Sequence, residues 1–460
     1  MAPPLKTCLL AAALLPVLAG CALTPEYRNP DVPVPAEWDA PGPNLAAAEV
    51  TADWWRQFDS AELDSLMAQA LAANHDLAAA VAAIDQARAA ARIAGAGRLP
   101  AVDASGSATR SRRSETGTTS SDQLLLSVGY EVDLWGAAAA QAEAARARLA
   151  ASVYDRDALA LVLQAEVATN YFQALALKDR LAIARDNLQA ARQVLELVEV
   201  RYREGAATAL ELAQQRTSVL NLEAQIPALE QDLRITQHAL AVLLGQPPQG
   251  FTVQASSLRE LSLPTVATVQ PAALLQRRPD IRRAEARLIA AHADIGAARA
   301  ALYPSLNLSA SAGVTGILTG GSGSVASLAA SLAQSIFDGG RRQAQVESAQ
   351  AVRRQLVEQY AQAVLVSLQE VQDSLVRVAA SQQRAAALEA AAEQAQEAYR
   401  LAAFRYQTGA EDLLTLLDSQ RTLLQAQDSL VQARLSHHVA TTNLFKALGG
   451  GWENAATTAQ

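Results

Sequence analysis

Few side chains in this sequence are placed to do chemistry. His437 and His438 are adjacent, so on a helix their rings would point about 100° apart, and no cysteine or carboxylate cluster completes a metal site around them. No group of nucleophile, base and orienting residue is recognisable, and no glycine-rich loop has the spacing of a phosphate-binding motif. The net charge of −8 and the lack of a basic cluster argue against nucleic acid as a partner. We therefore predict a protein that is not an enzyme and that holds no metal or other cofactor.

Cys21 is the exception, because its surroundings are typical of covalent modification. Leu18-Ala19-Gly20-Cys21 follows Lys6 and an apolar run over 8–17, which is the layout of a secretion signal too short to span a membrane. The motif resembles the bacterial lipobox, in which the peptide is cut before a cysteine that carries diacylglycerol and an N-acyl chain such as palmitate. We predict a signal peptide over 1–20 and a lipid on Cys21. A plain signal peptide with an incidental cysteine is the alternative.

The first half of the chain alternates long helices with one short β region. Residues 21–60 are rich in proline, and we expect a lipid-anchored, extended N-terminal segment there. Residues 61–250 form the first repeat, with these predicted elements: a helix, a β-hairpin at about 101–133, a long helix over 137–204 and a return helix over 210–245. As one α-helix, the third of these would be roughly 100 Å long.

The second half repeats the first. Residues 251–270 form a linker, which we assign to a small mixed equatorial region. Residues 271–450 form the second repeat, with these elements: a helix, a hairpin at about 304–337, a long helix over 341–408 and a return helix over 413–448. Residues 451–460 are predicted to be a flexible tail.

A constant offset of 204 residues supports this internal duplication. The pairs that share it include Asp76-Leu77 with Asp280-Ile281, Pro100 with Pro304, Tyr202 with Tyr406 and Gly205 with Gly409. Several independent features at one spacing are the signature of a repeated structural unit.

The sequence after residue 21 offers no run of 18 or more apolar residues, so a membrane crossing would need β-strands. Two hairpins give four strands, which cannot close a barrel, and open strand edges in lipid leave backbone groups unpaired. Several chains would have to pool their strands. Two chains would give eight strands and a filled interior, and three would give twelve strands and room for a pore.

The order of several short motifs resembles the TolC-type outer-membrane efflux proteins, and among them the lipid-anchored OprM/NodT type. The motifs are Pro25-Glu26-Tyr27, Trp54-Trp55-Arg56-Gln57-Phe58, Asn74-His75-Asp76-Leu77, Tyr130-Glu131-Val132-Asp133-Leu134-Trp135-Gly136, Arg278-Pro279-Asp280-Ile281-Arg282, Phe337-Asp338-Gly339-Gly340-Arg341 and the two Tyr-x-x-Gly turns. The resemblance extends over residues 21–452.

The resemblance implies an α+β membrane protein that forms a homotrimer. Its four strands per protomer would share a 12-stranded transmembrane barrel, continued by a long periplasmic α-helical barrel. The partners implied are outer-membrane lipid, a periplasmic adaptor (membrane fusion) protein and an inner-membrane pump of the resistance-nodulation-division (RND) class. The location implied is the outer membrane of a Gram-negative bacterium, with the helices in the periplasm.

The resemblance also assigns residues to a periplasmic gate. An acidic residue and its neighbours ring the constriction in the family, and they match Leu414, Asp418 and Arg421 on the second return helix. Glu211 matches an acidic tip position in the first repeat. An ordinary solvated position is the alternative explanation for Asp418. Glu411 stands where family members that lock this end carry an arginine.

We expect the gate and the adaptor-docking surface at the ends of the two long helices, because both helix pairs turn there. The residues are Tyr202 and Gly205 in the first repeat and Tyr406 and Gly409 in the second. For the two tyrosines, packing between helices is an equally good explanation.

The sequence thus predicts an exit duct that passively conducts small molecules, such as drugs or other toxic compounds, from pump and adaptor across the periplasm and outer membrane. A duct for type I protein secretion has the same fold and is an alternative. A lipid-anchored periplasmic coiled-coil spacer without a pore is another.

Overall fold

A computed structural model describes residues 23–39, 50–113, 117–264, 266 and 269–452. The described chain is mostly helical and contains one four-stranded sheet. Cys21 and the tail beyond residue 452 lie outside the described residues.

Twelve elements of regular α or β structure follow one another in the described residues. They are α1 (Ala61–Ala73), α2 (His75–Ala96), β1 (Ala101–Arg113), β2 (Gly117–Val132), α3 (Ala137–Arg203), α4 (Ala209–Leu243), α5 (Leu274–Arg277), α6 (Pro279–Ala300), β3 (Ser305–Thr315), β4 (Gly323–Ala333), α7 (Arg341–Gln407) and α8 (Leu413–Ala447). The two long helices, α3 and α7, have 67 residues each, and the two return helices, α4 and α8, have 35 residues each.

The first helical region is divided, whereas the sequence pattern predicts one helix from 61 to 98. Asn74 separates α1 from α2 because its side chain caps the second helix: Oδ1 accepts a hydrogen bond of 3.0 Å from the Leu77 backbone N–H. The Asn74 amide also donates to the carbonyl of Leu243 at 3.0 Å. Arg278 stands 204 residues later and donates to the carbonyl of Ala447 at 3.2 Å. The two halves thus secure the ends of their return helices in the same way.

The sheet is antiparallel and has the order β1-β2-β3-β4. Its register pairs Ala101 with Gly129, Gln123 with Thr315 and Ser305 with Ala333. Within the described residues, the outer edges of β1 and β4 have no neighbouring strand. Leu328 on β4 is 86% exposed. A search of the described helices found none with the length and hydropathy needed to cross a membrane.

The chain divides into two compact units. The first comprises the described parts of Met1–Val32, Val81–Tyr154 and Ile281–Ala363, and it contains the sheet. In this unit the N-terminal segment packs on α6: His292 Nε2 lies 2.7 Å from the Pro25 carbonyl oxygen, and the Tyr27 and His292 rings meet edge to face at 5.5 Å. Burial raises the pKa of the Tyr27 phenol to about 12.

The second unit comprises the described parts of Pro33–Ala80, Asp155–Asp280 and Val364–Gln460. Although aromatic residues make up only 4% of the chain, several of them meet in its core. Trp54 stacks on Phe445 at 5.2 Å, and Phe58 packs on Phe172 at 4.8 Å. His438 lies against Phe172 at 5.2 Å and is 3% exposed. The composition suggests close-packed helices without an aromatic core, and this cluster is a feature that composition does not reveal.

Both long helices end in the same turn. After α3, the Ala206 N–H donates to the Arg201 carbonyl at 2.7 Å, and Gly205 adopts φ of 75°. After α7, the Ala410 N–H donates to the Arg405 carbonyl at 2.8 Å, and Gly409 adopts φ of 77°. A six-to-one hydrogen bond around a left-handed residue is the Schellman motif, and glycine adopts that conformation at little steric cost. The two Tyr-x-x-Gly sequences therefore specify where the long helices stop.

Acidification should destabilise the second unit through His438. Burial lowers the pKa of its imidazole from 6.5 to about 4, although its hydrogen bond to the Arg434 carbonyl opposes the shift. Between these values the unfolded chain binds more protons, so the free energy of unfolding decreases as the pH falls, by up to about 3 kcal/mol per protomer. We expect His438→Phe to flatten the pH dependence of the unfolding temperature between pH 6.5 and pH 4, measured by circular dichroism. His75→Phe replaces an exposed histidine and is the control. Identical slopes for wild type and His438→Phe would contradict this account.

Alanine at either helix end should weaken the turn. Gly205→Ala and Gly409→Ala each place a Cβ at positive φ, which costs roughly 1–2 kcal/mol, while the space around both positions is open. We expect a lower unfolding temperature for each variant. Gly95→Ala, within α2 and also in open space, is the matched control and should be neutral or stabilising. Equal unfolding temperatures for all three variants would show that the turns need no left-handed residue.

Candidate functional site

The two helix ends and the starts of the return helices form a small apolar cluster in the second unit. Its buried members include Val198 from α3, Leu212 from α4, Tyr406 from α7 and Leu413 from α8. The two predicted tyrosines differ here: Tyr406 is 2% exposed, whereas Tyr202 is 43% exposed. Tyr406 is thus a packing residue, and Tyr202 presents its ring at the surface of this chain.

Arg201 fastens one long helix to the other. Its guanidinium lies 4.6 Å from the centre of the Tyr406 ring and donates to the carbonyls of Tyr406 at 2.9 Å and Gln407 at 3.1 Å. A cation is favourable at this place because the last carbonyls of α7 are unpaired and carry partial negative charge. Burial raises the pKa of the Tyr406 phenol, and the charge of Arg201 opposes that rise. Sequence reasoning missed Arg201.

The equivalent arginine of the second repeat behaves differently. Arg405 pairs with Glu411 in its own turn, with 3.4 Å between Nε and Oε2. By the resemblance, Glu411 stands where family members that lock this end carry an arginine, so the position has the opposite charge in this chain. The Arg405 side chain is 59% exposed, and such a pair adds little stability.

Glu211 is engaged at the start of α4. Its carboxylate accepts hydrogen bonds from the Thr208 backbone N–H at 2.6 Å and the Thr208 hydroxyl at 3.0 Å. Together with the return bond from the Glu211 N–H, this is a complete capping box. At the start of α8, the Asp412 carboxylate accepts a hydrogen bond of 2.8 Å from the Thr415 backbone N–H and so caps the helix. Hydrogen bonds from Thr415 lower the pKa of the Asp412 carboxyl. The gate role of Glu211 stays a prediction.

The other three predicted gate residues lie together. Leu414, Asp418 and Arg421 line one groove of about 570 Å³ between α4 and α8. Asp418 and Arg421 form an ion pair one turn apart, and their side chains are 62% and 79% exposed. Leu414 is 65% exposed. The groove thus combines an apolar projection with a paired carboxylate and guanidinium.

The opposite wall of the groove is a feature that the sequence analysis did not identify. It is formed by α4, with Gln214, Thr217, Ser218 and Asn221 among its residues. The offset of 204 residues could have found it, since 418 − 204 is 214 and 421 − 204 is 217. The first repeat therefore places an amide and a hydroxyl where the second repeat places Asp418 and Arg421.

Three comparisons with known proteins agree with the family resemblance. The family model for outer membrane efflux proteins matches residues 66–246 and 271–450. A relative, the pyoverdine export outer membrane protein OpmQ of Pseudomonas aeruginosa, is 40% identical over 97% of each chain. The solved outer-membrane channel OprN is 31% identical and superimposes with a TM-score of 0.86, covering 94% of this chain and all of its own.

A third likeness is to the open state of the MtrE outer membrane channel of Neisseria gonorrhoeae. That structure is 28% identical, has a TM-score of 0.85, and covers 94% of this chain and 98% of its own. The family consists of outer-membrane channels, and none of these names is that of an enzyme. The chain belongs to the outer membrane efflux protein family and is the outer-membrane component of an efflux system.

Proposed function

We propose that three copies of this chain form a passive exit duct with a gate at its periplasmic end. The observation that carries the proposal is the open sheet: four strands of 11 to 16 residues, with no neighbouring strand at either outer edge among the described residues. A transmembrane strand needs about 9–11 residues, and lipid tolerates no open edge. Three sheets joined edge to edge give a closed barrel of twelve strands, wide enough for a water-filled pore.

In the proposed trimer, α3, α4, α7 and α8 of each copy continue the wall as a periplasmic tunnel. The equal lengths of α3 and α7, and of α4 and α8, support this because the two halves of each chain then supply equivalent helices to the tunnel wall. The constant offset of 204 residues between their bounds supports an internal duplication as the origin of the pairs.

The anchor is proposed at Cys21, with diacylglycerol and an N-acyl chain. Pro25 and Tyr27, a few residues later, pack on α6 in the unit that contains the sheet. A lipid attached at Cys21 would then be held close to the part of the protein that enters the membrane.

The far ends of the tunnel are proposed to meet the partners. We assign docking of a periplasmic adaptor to the turns at Tyr202, Gly205, Tyr406 and Gly409. The adaptor would connect the duct to an RND-type inner-membrane pump. The relative of 40% identity is named for pyoverdine export. We propose a small-molecule cargo for this chain as well.

Closure is proposed at the groove between α4 and α8. Three copies of Leu414, each 65% exposed in the single chain, would meet across the lumen and narrow it. Three Asp418–Arg421 pairs, each within one return helix, would lie one turn deeper and form a polar ring. Because each pair lies within one helix, the ring can widen without breaking an ion pair.

Conductance in planar bilayers tests the gated duct. Asp418→Ala removes three carboxylates from the constriction, so we expect a larger single-channel conductance and a weaker preference for cations than in the wild type. Asp373→Ala is the matched control, because Asp373 is a half-exposed aspartate that pairs within α7 with Arg377 at 3.8 Å. It should leave both quantities unchanged.

A purified protein that gives no conductance would contradict the duct and favour a spacer. Unchanged conductance and ion selectivity in Asp418→Ala would contradict the position of the gate.

A further inference from the structure

The two walls of the groove between α4 and α8 differ in chemistry. The α8 wall carries the gate residues, while the α4 wall has no charged side chain. Ala213 and Leu222 make up its apolar part, and its polar part consists of Gln214, Thr217, Ser218, Asn221 and Gln225. These positions recur every three or four residues, so they form one continuous stripe along the helix. The Thr217 hydroxyl already donates to the Ala213 carbonyl at 2.8 Å, so it offers a solute an acceptor only, while the amides of the stripe offer both donors and acceptors.

The floor of the groove contains an unused donor. Gln420 lines the groove, is 5% exposed, and its side-chain Nε2 is buried without a hydrogen-bond partner among the described residues. An unpaired buried amide of this kind destabilises the fold, so a hydrogen bond to it is favourable. Because Nε2 is closed off from solvent, the Gln420 amide has to turn toward the groove before its N–H can meet an acceptor oxygen of a solute.

The charges in the groove are already matched. Asp418 and Arg421 pair with each other, so neither demands a charged ligand. The volume of about 570 Å³ lies within the range of small-molecule sites. The groove is thus suited to an uncharged solute that is rich in carbonyl oxygens.

We propose that this groove is a binding site for peptide-like solutes on their way through the duct. A carbonyl oxygen of the solute accepts from Gln420 Nε2, and the stripe at Gln214, Thr217 and Asn221 pairs with its remaining amide groups. The proposal rests on the proposed duct and adds to it the chemical class of cargo that the periplasmic end favours.

Current interruptions test the site. We would add the uncharged peptide N-acetyl-tetraglycine amide to the protein in a planar bilayer and measure how long each interruption of the current lasts. The wild type should show resolved interruptions. Gln420→Leu keeps a similar volume but removes the donor, and a lost hydrogen bond should shorten the interruptions about tenfold.

Two controls distinguish the site from general effects. Gln383→Leu makes the same change at an exposed position on α7 outside the groove, and the interruptions should last as long as in the wild type. Tetrapropylammonium, a cation without hydrogen-bonding groups, should give interruptions that Gln420→Leu does not shorten.

The outcomes separate this inference from the duct itself. A conducting wild type without interruptions by the peptide, or with equal interruptions in Gln420→Leu, overturns the binding site and leaves the duct intact. A wild type without conductance overturns the duct. If Gln420→Leu fails to fold, the same measurement is made on Asn221→Leu. Shorter interruptions by the peptide than in the wild type support the site, and unchanged ones overturn it.

Discussion

Backbone hydrogen bonding is the constraint on which the rest of this protein depends. Each strand of the sheet carries a row of N–H and C=O groups, and the described chain pairs them only inside the order β1-β2-β3-β4. In water the two outer edges could be solvated, but in hydrocarbon they cannot. A barrel shared by several chains follows from that requirement, and the proposed trimer, which leaves room for a pore, brings the return helices of three chains around one axis. The groove at Leu414 and Asp418 has a functional meaning only in such an assembly.

The two halves of the chain share a framework but differ where function is proposed. Gly205 and Gly409 end the long helices in the same left-handed turn, and Asn74 and Arg278 secure the return helices at matching carbonyls. At the ends of the long helices the two repeats differ in the contacts that their arginines make. Arg201 reaches across to α7 and covers Tyr406, whereas Arg405 stays in its own turn with Glu411.

This divergence has a physical consequence. A duplicated scaffold needs identical geometry for packing, since the helices of both halves must have the same length. Surface positions in the groove are free of that requirement. One wall of the groove carries the Asp418–Arg421 pair and the other carries Gln214 and Thr217, which suits the proposed closure on one side and the proposed binding of polar solutes on the other.

Much of the fold could be predicted from the sequence because its signals are local and repeated. Proline marks where helices stop before the hairpins, glycine marks the tips, and the offset of 204 residues lets each half support the other. The break at Asn74 was missed, since nothing in the apolar spacing shows that a side chain will cap a new helix. The aromatic core was missed as well, because Trp54, Phe172 and Phe445 come together around Phe58 only in the folded chain.

The candidate site was predictable in part. Leu414, Asp418 and Arg421 came from the resemblance, and the structure brings them to one groove. Arg201 and Gln420 could not be predicted, because their roles depend on contacts between elements far apart in sequence: one covers a ring on another helix, and the other is left without a partner.

The most direct test of the account is whether position 414 lines the conducting path. Cys8 and Cys21 are the two cysteines of the chain, one in the predicted signal and one in the proposed lipid anchor, so Leu414→Cys adds a single reactive thiol. A bulky methanethiosulfonate reagent should then reduce the single-channel conductance in planar bilayers. It should have no such effect on Leu401→Cys, an exposed leucine of α7 outside the groove. Complete modification of Leu414→Cys, verified by mass spectrometry, with unchanged conductance would contradict the account.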